Sequence, residues 1–501
     1  MLHSLRFLPM LTLLIVLPVI GALLMPLLPE RVLRSVALVI AGLTFALSLW
    51  MLTQFDVHQS ALQFTEFVPW LLPLGLNYSL GVDGLSLPLI VLGTFLTLGV
   101  VFTGEKTGQR LFYALVLLAN AGITGALAAQ NLLLFFLFYE LELVPFYLLI
   151  LIWGGQRREQ AAVKFLIYTA VSGILVLAAF LAMGWLTHAP SFDSADIQIA
   201  GLAPTTQGIL LLLLILGFGI KMPLVPLHSW LPDAYVEAST PTAILLGGAL
   251  AKLGAYGLVR FALGYFPEAW AQFSGLLAIV AAVGIAYGAL AAIAQKDIKR
   301  MVAYSSIGHM SYVLLAAAAH THLSMVGAIA QMISHGLILA LLFYLVGVIE
   351  TKVGTRELNV LNGLLNPLRG LPTTSALLIL GGMASAGIPG LVGFVAEFLI
   401  FQGSYGMFPL PTLVAVVGTG LTAVYFVIMI NRTCFGRLDN RTAYYPRVVW
   451  SEKMPALVLT LLIVFLGVQP TWLVRWSETT SAQIVAAVPR TNELVATLAK
   501  R

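Results

Sequence analysis

Charge is scarce along this 501-residue chain: Asp, Glu, Lys and Arg together make up 9% of it, against 60% hydrophobic residues. A soluble globular chain carries about 25% charged residues. So little charge cannot cover a water-facing surface, and the mean hydropathy of +0.97 points to lipid as the solvent. Cysteine is scarcer still. The single thiol, Cys434, excludes an internal disulfide framework and an iron–sulfur cluster held by the chain's own cysteines. Nucleotide and hydrolase signatures are missing too: no P-loop, no HExxH, no nucleophile elbow. GFGIKM at 217–222 has no preceding strand and is not a dinucleotide fingerprint. The net charge of +5 does not indicate nucleic acid, because the basic residues are scattered through short loops between apolar runs.

What the chain does have is apolar windows of about 20 residues, each able to cross a bilayer core of ~30 Å. They fall near 7–28, 33–53, 85–103, 111–128, 131–152, 161–186, 208–230, 243–263, 272–294, 301–319, 323–348, 374–402, 411–433 and 453–471. The first is read as a span rather than a signal peptide, whose apolar core would be shorter. This predicts an all-α polytopic membrane protein with about 14 transmembrane helices. Loops after odd-numbered spans carry Arg31 and Arg34; Lys106 and Arg110; Arg157, Arg158 and Lys164; Lys296, Lys299 and Arg300; Lys352, Arg356 and Arg369; and Arg432, Arg437, Arg441, Arg447 and Lys453. Loops after even-numbered spans carry Asp56, Glu66, Asp193, Asp196 and Glu268 instead. The positive-inside rule then puts the basic loops in the cytoplasm and both termini on the opposite side.

Two spans are interrupted. The seventh has Gly217, Gly219, Pro223 and Pro226 around Lys221; the twelfth has Gly387, Pro389, Gly390 and Gly393 before Glu397. Proline removes a helix hydrogen bond, and broken backbone at membrane depth belongs in buried or cavity-lining positions. Breaks five spans apart predict two five-helix repeats. Five is odd, so the second repeat is inverted. The expected organisation is 1–110 (spans 1–3), 111–263 (first repeat), 264–433 (second repeat) and 434–501 (span 14 and tail).

Glu140, Lys221, Lys252, His309 and His335 fall near mid-span, and Glu397 nearer the far end of span twelve. A charge at the bilayer centre costs at least ~2.5–3.5 kcal/mol on insertion scales, so several together read as a proton relay. Glu140 facing Lys221 would form a switchable ion pair; the bland alternative is a static salt bridge. Glu142 lies about 200° further round the helix and cannot face the same partner; a relay role and a contact to another subunit are equally open. Lys221 and Lys252 suit proton carriers, as desolvated lysines can give up a proton. His309 and His335 suit relay members or satisfied bundle histidines. Glu397 is a candidate terminal acceptor or an interfacial carboxylate. His228, Asp233 and Glu237 read as caps and interface hydrogen bonds or as the proton entry. The 13-residue spacing of His309, His322 and His335 does not give haem ligand pairs, because His322 falls in a turn between spans. No metal site is predicted.

The string KMPLVPLHSWLPDAYVEASTPTAILLGGALAKLGAYGLVRF, with FYELELVPFYLLILIWGG, AQKDIKRMVAYSSIGHMSYV, QMISHGLILALLFYLVG and GLVGFVAEF, resembles the antiporter-like chain 4 subunits of respiratory and photosynthetic complex I over roughly residues 75–435. The related multisubunit sodium/proton antiporters share this core and supply the alternative reading. The resemblance implies a non-redox, proton-pumping subunit of an NAD(P)H- or ferredoxin-driven quinone oxidoreductase. Iron–sulfur clusters and plastoquinone would lie in partner subunits, with neighbouring antiporter-like chains and lipids as contacts. It maps the family's relay onto Glu140, Lys221, Lys252, His309, His335 and Glu397. The tail RVVWSEKMPALVLTLLIVFLGVQPTWLVRW is similar to the cyanobacterial and plastid branch, implying a thylakoid location with lumenal termini. Tyr139 stands where the family commonly has tryptophan. The paralogue, including variants of carbon dioxide-uptake complexes with a carbonic anhydrase-like partner, stays open.

Overall fold

The computed structural model describes residues 9–104, 109–438 and 445–489. Lys106 and Arg441, and both chain ends whose side was inferred above, lie outside these residues. The first two helices, α1 (Met10–Leu24) and α2 (Glu30–Gln54), are followed by an antiparallel ribbon, β1 (Gln63–Leu71) and β2 (Leu76–Val82). This ribbon adds to the all-α expectation. Its turn rests on Gly75, whose φ of 64° favours glycine. Glu66 on β1 reaches the start of α1, accepting from Leu11 N at 2.7 Å and Thr12 N at 3.1 Å. A carboxylate at a helix N-terminus satisfies orphan amides and opposes the helix dipole, which ties ribbon to helix.

Next come α3 (Ser86–Thr103), α4 (Gln109–Ala128), and a fifth span split into α5 (Leu132–Leu141) and α6 (Leu143–Trp153). The split falls at Glu142, and Pro145 has no N–H to give back to the preceding turn. After α7 (Arg158–Leu186), the seventh span is α8 (Pro204–Lys221), an unwound stretch, and α9 (Trp230–Glu237). The eighth span, Thr240–Leu263, is buried in the bundle along nearly its whole length, with Thr240 and Arg260 partly exposed. It comprises α10 (Thr240–Leu245), a π segment at Leu246–Leu250, α11 (Ala251–Gly257) and a second π segment at Leu258–Leu263.

The second half contains α12 (Pro267–Ile293), α13 (Ile298–Ala319) and the 32-residue α14 (His322–Val353), which packs against α13, α15, α16 and α18. The twelfth span is α15 (Pro372–Ser385) and α16 (Val392–Tyr405), separated by a loop with Gly387 and Gly390 at φ 69° and 88°. Then come α17 (Pro409–Cys434), α18 (Trp450–Val468), and the short α19 (Thr471–Val474) and α20 (Glu478–Ala486). Thirteen helices among the described residues are long and apolar enough to cross a membrane. The paired half-helices α15 and α16, each too short alone, supply the fourteenth crossing.

Burial sorts these helices by solvent. Exposed Val, Leu and Ile side chains line α2, α7, α12 and α17, where lipid is the outer medium, whereas the eighth span and α13 show almost none. Small residues let the inner helices approach closely. Gly254 on α11 is one instance: a Cβ there would sit 2.6 Å from Met222 N and 2.9 Å from Phe218 O. That glycine lets the eighth span touch the unwinding end of α8. Gly254→Val should therefore force the two apart at a cost of about 1–3 kcal/mol. A lowered unfolding midpoint of the detergent-solubilised protein would show this; an unchanged midpoint would refute the contact.

Candidate functional site

The break in the seventh span ends α8 at Lys221, so its side chain leaves the helix terminus inside the bundle, 1% exposed. Its Nζ donates to Glu142 Oε1, and to Tyr139 O at 3.2 Å, while lying 3.3 Å from the centre of the Tyr139 ring. The ammonium thus has a carboxylate, a carbonyl and an aromatic face in place of water. Tyr139 is held by its hydroxyl, 2.8 Å from Ser172 Oγ, which in turn donates to Gly217 O at 2.7 Å. Glu142 is fully buried, and its Oε2 has no hydrogen-bond partner.

The pairing of Lys221 with Glu140 expected from the sequence is not the one the fold makes. Glu140 turns the other way, half-buried, with its carboxylate packed over Gly173 of α7; a Cβ on Gly173 would lie 2.2 Å from Glu140 Oε1. The two carboxylates make different contacts, Glu142 with the end of α8 and Glu140 with α7. Which of them faces inward depends on how the fifth span is rotated against α8, a tertiary property. Tyr139, too, belongs to the site rather than to a neutral background.

The second cluster centres on Lys252, between the two π segments of the eighth span. Such local unwinding exposes backbone carbonyls and recurs at functional sites. Lys252 Nζ donates to Gly247 O and lies 2.7 Å from His335 Nδ1. His335 Nε2 has no hydrogen-bond partner, and the ring stands 5.3 Å from the His309 ring, centre to centre. His309 Nε2 is 2.9 Å from Ser385 Oγ. Its Nδ1 is 3.2 Å from Gln331 Nε2 and 3.6 Å from Glu397 Oε1. Glu397 is 2% exposed, so it is a buried group and not an interfacial one. Its Oε2 accepts from Thr419 Oγ1 at 2.9 Å and lies against the Gly387 turn, where a Cβ would come within 2.7 Å. Tyr312 OH lies 2.9 Å from Thr419 Oγ1.

Lys252, His335, His309 and Glu397, drawn from four helices, thus form one buried line. Lys221 is joined to it through backbone, where its carbonyl carbon packs on Gly254, two residues beyond Lys252. An ammonium donating to His335 Nδ1 requires that nitrogen's lone pair, which leaves the ring proton on Nε2. An imidazole so placed can take a proton on one nitrogen and release one from the other.

On the basic-loop side, Asp233 is shared by Lys164 at 2.8 Å and Arg300 at 3.2 Å. Glu237 accepts from Arg157 N at 3.0 Å. His228 lies edge-on to Tyr287 with Nδ1 unpartnered. Sequence reasoning missed Gln331, Ser385, Thr419 and Tyr312. Gln331 was within reach, being one turn before His335 on the same face of α14. A lone Ser or Thr in an apolar helix gives no such signal.

A polytopic bundle whose broken seventh and twelfth spans each bring an ionisable residue to the buried polar interior defines an antiporter-like membrane subunit. The description NADH:quinone oxidoreductase/Mrp antiporter, TM matches residues 129–422, and the chain belongs to that family. It is 40% identical, over 97% of this chain and 94% of the relative, to NAD(P)H-quinone oxidoreductase chain 4 1 of Synechococcus sp. (strain JA-3-3Ab). It is 38% identical to NAD(P)H-quinone oxidoreductase chain 4 of Gloeobacter violaceus, over 91% and 88%. Among solved structures, a chain of respiratory complex I from Thermus thermophilus superposes with a TM-score of 0.88 at 29% identity, covering 96% of this chain and all of the other. A chain of the Mrp complex from Dietzia sp. shares the fold, with a TM-score of 0.87 at 22% identity over 98% and 99%.

The two carboxylates of the fifth span can be told apart. Removing one partner of a buried pair costs about 3–5 kcal/mol, because the other charge is left uncompensated. Glu142→Gln should lower proton translocation by the assembled complex at least tenfold, and Glu140→Gln several-fold less. Equal losses, or a larger loss in Glu140→Gln, would reverse the assignment.

Proposed function

We propose that this chain is the proton-translocating, non-redox membrane subunit of a complex I-type quinone oxidoreductase. The observation that carries the reading is the Lys221–Glu142 pair set at a helix break beside the buried Lys252–His335–His309–Glu397 line. A lysine whose counter-charge can be withdrawn is a switch. With Glu142 in place, Lys221 keeps its proton. Movement of the fifth span relative to α8 removes the carboxylate and favours passing that proton toward Lys252. Positive charge at Lys252 favours delivery to His335, on through His309, and release at Glu397. Glu140, on the α7 side, resupplies Glu142 from the basic-loop side, where Lys164, Arg300 and Asp233 hold the entry.

The driving motion comes from elsewhere in the assembly. Iron–sulfur clusters and the quinone belong to partner subunits, and neighbouring antiporter-like chains transmit the change. The cyanobacterial relatives support a thylakoid location with the basic loops cytoplasmic. The same partner set bears on the sodium/proton antiporter alternative and on a carbonic anhydrase-like subunit. Co-purification with iron–sulfur and quinone-binding chains is expected, and an assembly without them would favour the antiporter.

Lys221→Met keeps the length and apolar stem of the side chain and deletes its charge. The assembled variant should retain quinone reduction while losing proton translocation by about tenfold or more, measured as dye-reported acidification of sealed vesicles. Normal acidification by an assembled Lys221→Met complex would overturn the reading.

A further inference from the structure

We infer that a groove between α3 and α18, floored by α14, is a binding site for an anionic phospholipid. The groove has a volume of about 570 Å³ and is walled by α3 from Phe95 to Thr103 and by α18 from Trp450 to Leu459, with Ala340 and Tyr344 beneath. Its lining is apolar almost throughout. At 1.5 Å per residue those walls run about 12–14 Å along the membrane normal. That is about half of the ~30 Å hydrocarbon layer. The groove therefore suits an acyl chain of one leaflet, whereas a crossing helix of a partner subunit would need the full depth.

Its outer end opens into a second cavity of about 580 Å³ on the basic-loop side; Phe102, Thr103, Tyr344 and Ser451 line both. This mouth holds Arg34 and Lys352 with Gln109 and Ser239. Arg34 is exposed and fixed by donating to Phe102 O at 2.6 Å. Lys352 is 2.8 Å from Glu452, the one carboxylate among the described residues that line the mouth. Among the described residues, two cations against one anion leave one positive charge, matching a headgroup with a single phosphodiester charge. Basic pockets between transmembrane helices on this side of a membrane are suited to anionic headgroups, and a guanidinium suits phosphate oxygens. A neutral quinone head would leave the charge unmatched.

Gly99 provides the test, because it lines the groove and a Cβ there would meet nothing within 4 Å, so a larger side chain starts from open groove space. The intact complex is delipidated, reconstituted with phosphatidylglycerol, phosphatidylcholine or an equal mixture, washed, and its retained lipid counted by mass spectrometry. The wild-type complex should keep phosphatidylglycerol over phosphatidylcholine by about fivefold, the worth of about one cation near the surface. Gly99→Phe should carry one lipid fewer per complex. Arg34→Gln should keep the lipid and lose most of the preference. Equal lipid counts in wild type and Gly99→Phe would overturn the proposal, as would wild-type indifference to headgroup charge or a photo-cross-link from position 454 to another chain. Should Gly99→Phe not assemble, the wild-type preference and its loss in Arg34→Gln still decide.

Discussion

An ammonium in hydrocarbon has no water to solvate it, and this constraint shapes the molecule around Lys221. The fold replaces the missing hydration with Glu142, the Tyr139 carbonyl and the Tyr139 ring, all within a bundle interior that keeps Lys221 and Glu142 almost unexposed. Each replacement has a structural cost. The fifth span must break at Glu142, α8 must end at Lys221, and the freed backbone must find partners inside the protein. Trp230 Nε1 donates to Ile220 O at 2.8 Å, for example, taking up a carbonyl left near the break. Unwound backbone and buried charge therefore come together because each needs the shelter that the other helices provide.

The two lysines are solvated in different ways. Lys221 faces a carboxylate; Lys252 faces a carbonyl and an imidazole. Charge on Lys221 is compensated locally, so it depends on where one glutamate sits. Charge on Lys252 has only dipoles and an imidazole beside it, and that imidazole stands 5.3 Å from the His309 ring.

Around this line, ordinary packing supplies precision. Gly254 brings the eighth span against the end of α8, and the Gly387 turn closes over Glu397. Thr419, Tyr312, Ser385 and Gln331 are short hydrogen-bonding links that hold Glu397 and His309 in register. Farther out, the ribbon is pinned to α1 by Glu66, while the outer helices give their apolar faces to lipid. The groove between α3 and α18 differs from those faces because its apolar walls end under a pair of cations.

The span count, the broken seventh and twelfth helices and the identity of the buried lysines and histidines were legible in the sequence. These follow from quantities local to the chain: a window long enough to cross the bilayer, a proline that cannot donate, a charge too costly to bury without purpose. The β1–β2 ribbon was not legible, because strand pairing depends on the partner segment as much as on either strand. Nor was the choice of Glu142 over Glu140. Helical periodicity places the two carboxylates on opposite faces, but only the rotation of the fifth span against α8, set by packing of side chains distant in sequence, decides which face meets the lysine. The same holds for Gln331, Ser385 and Thr419, unremarkable in their own helices and brought to His309 and Glu397 by helices that meet only in the folded bundle.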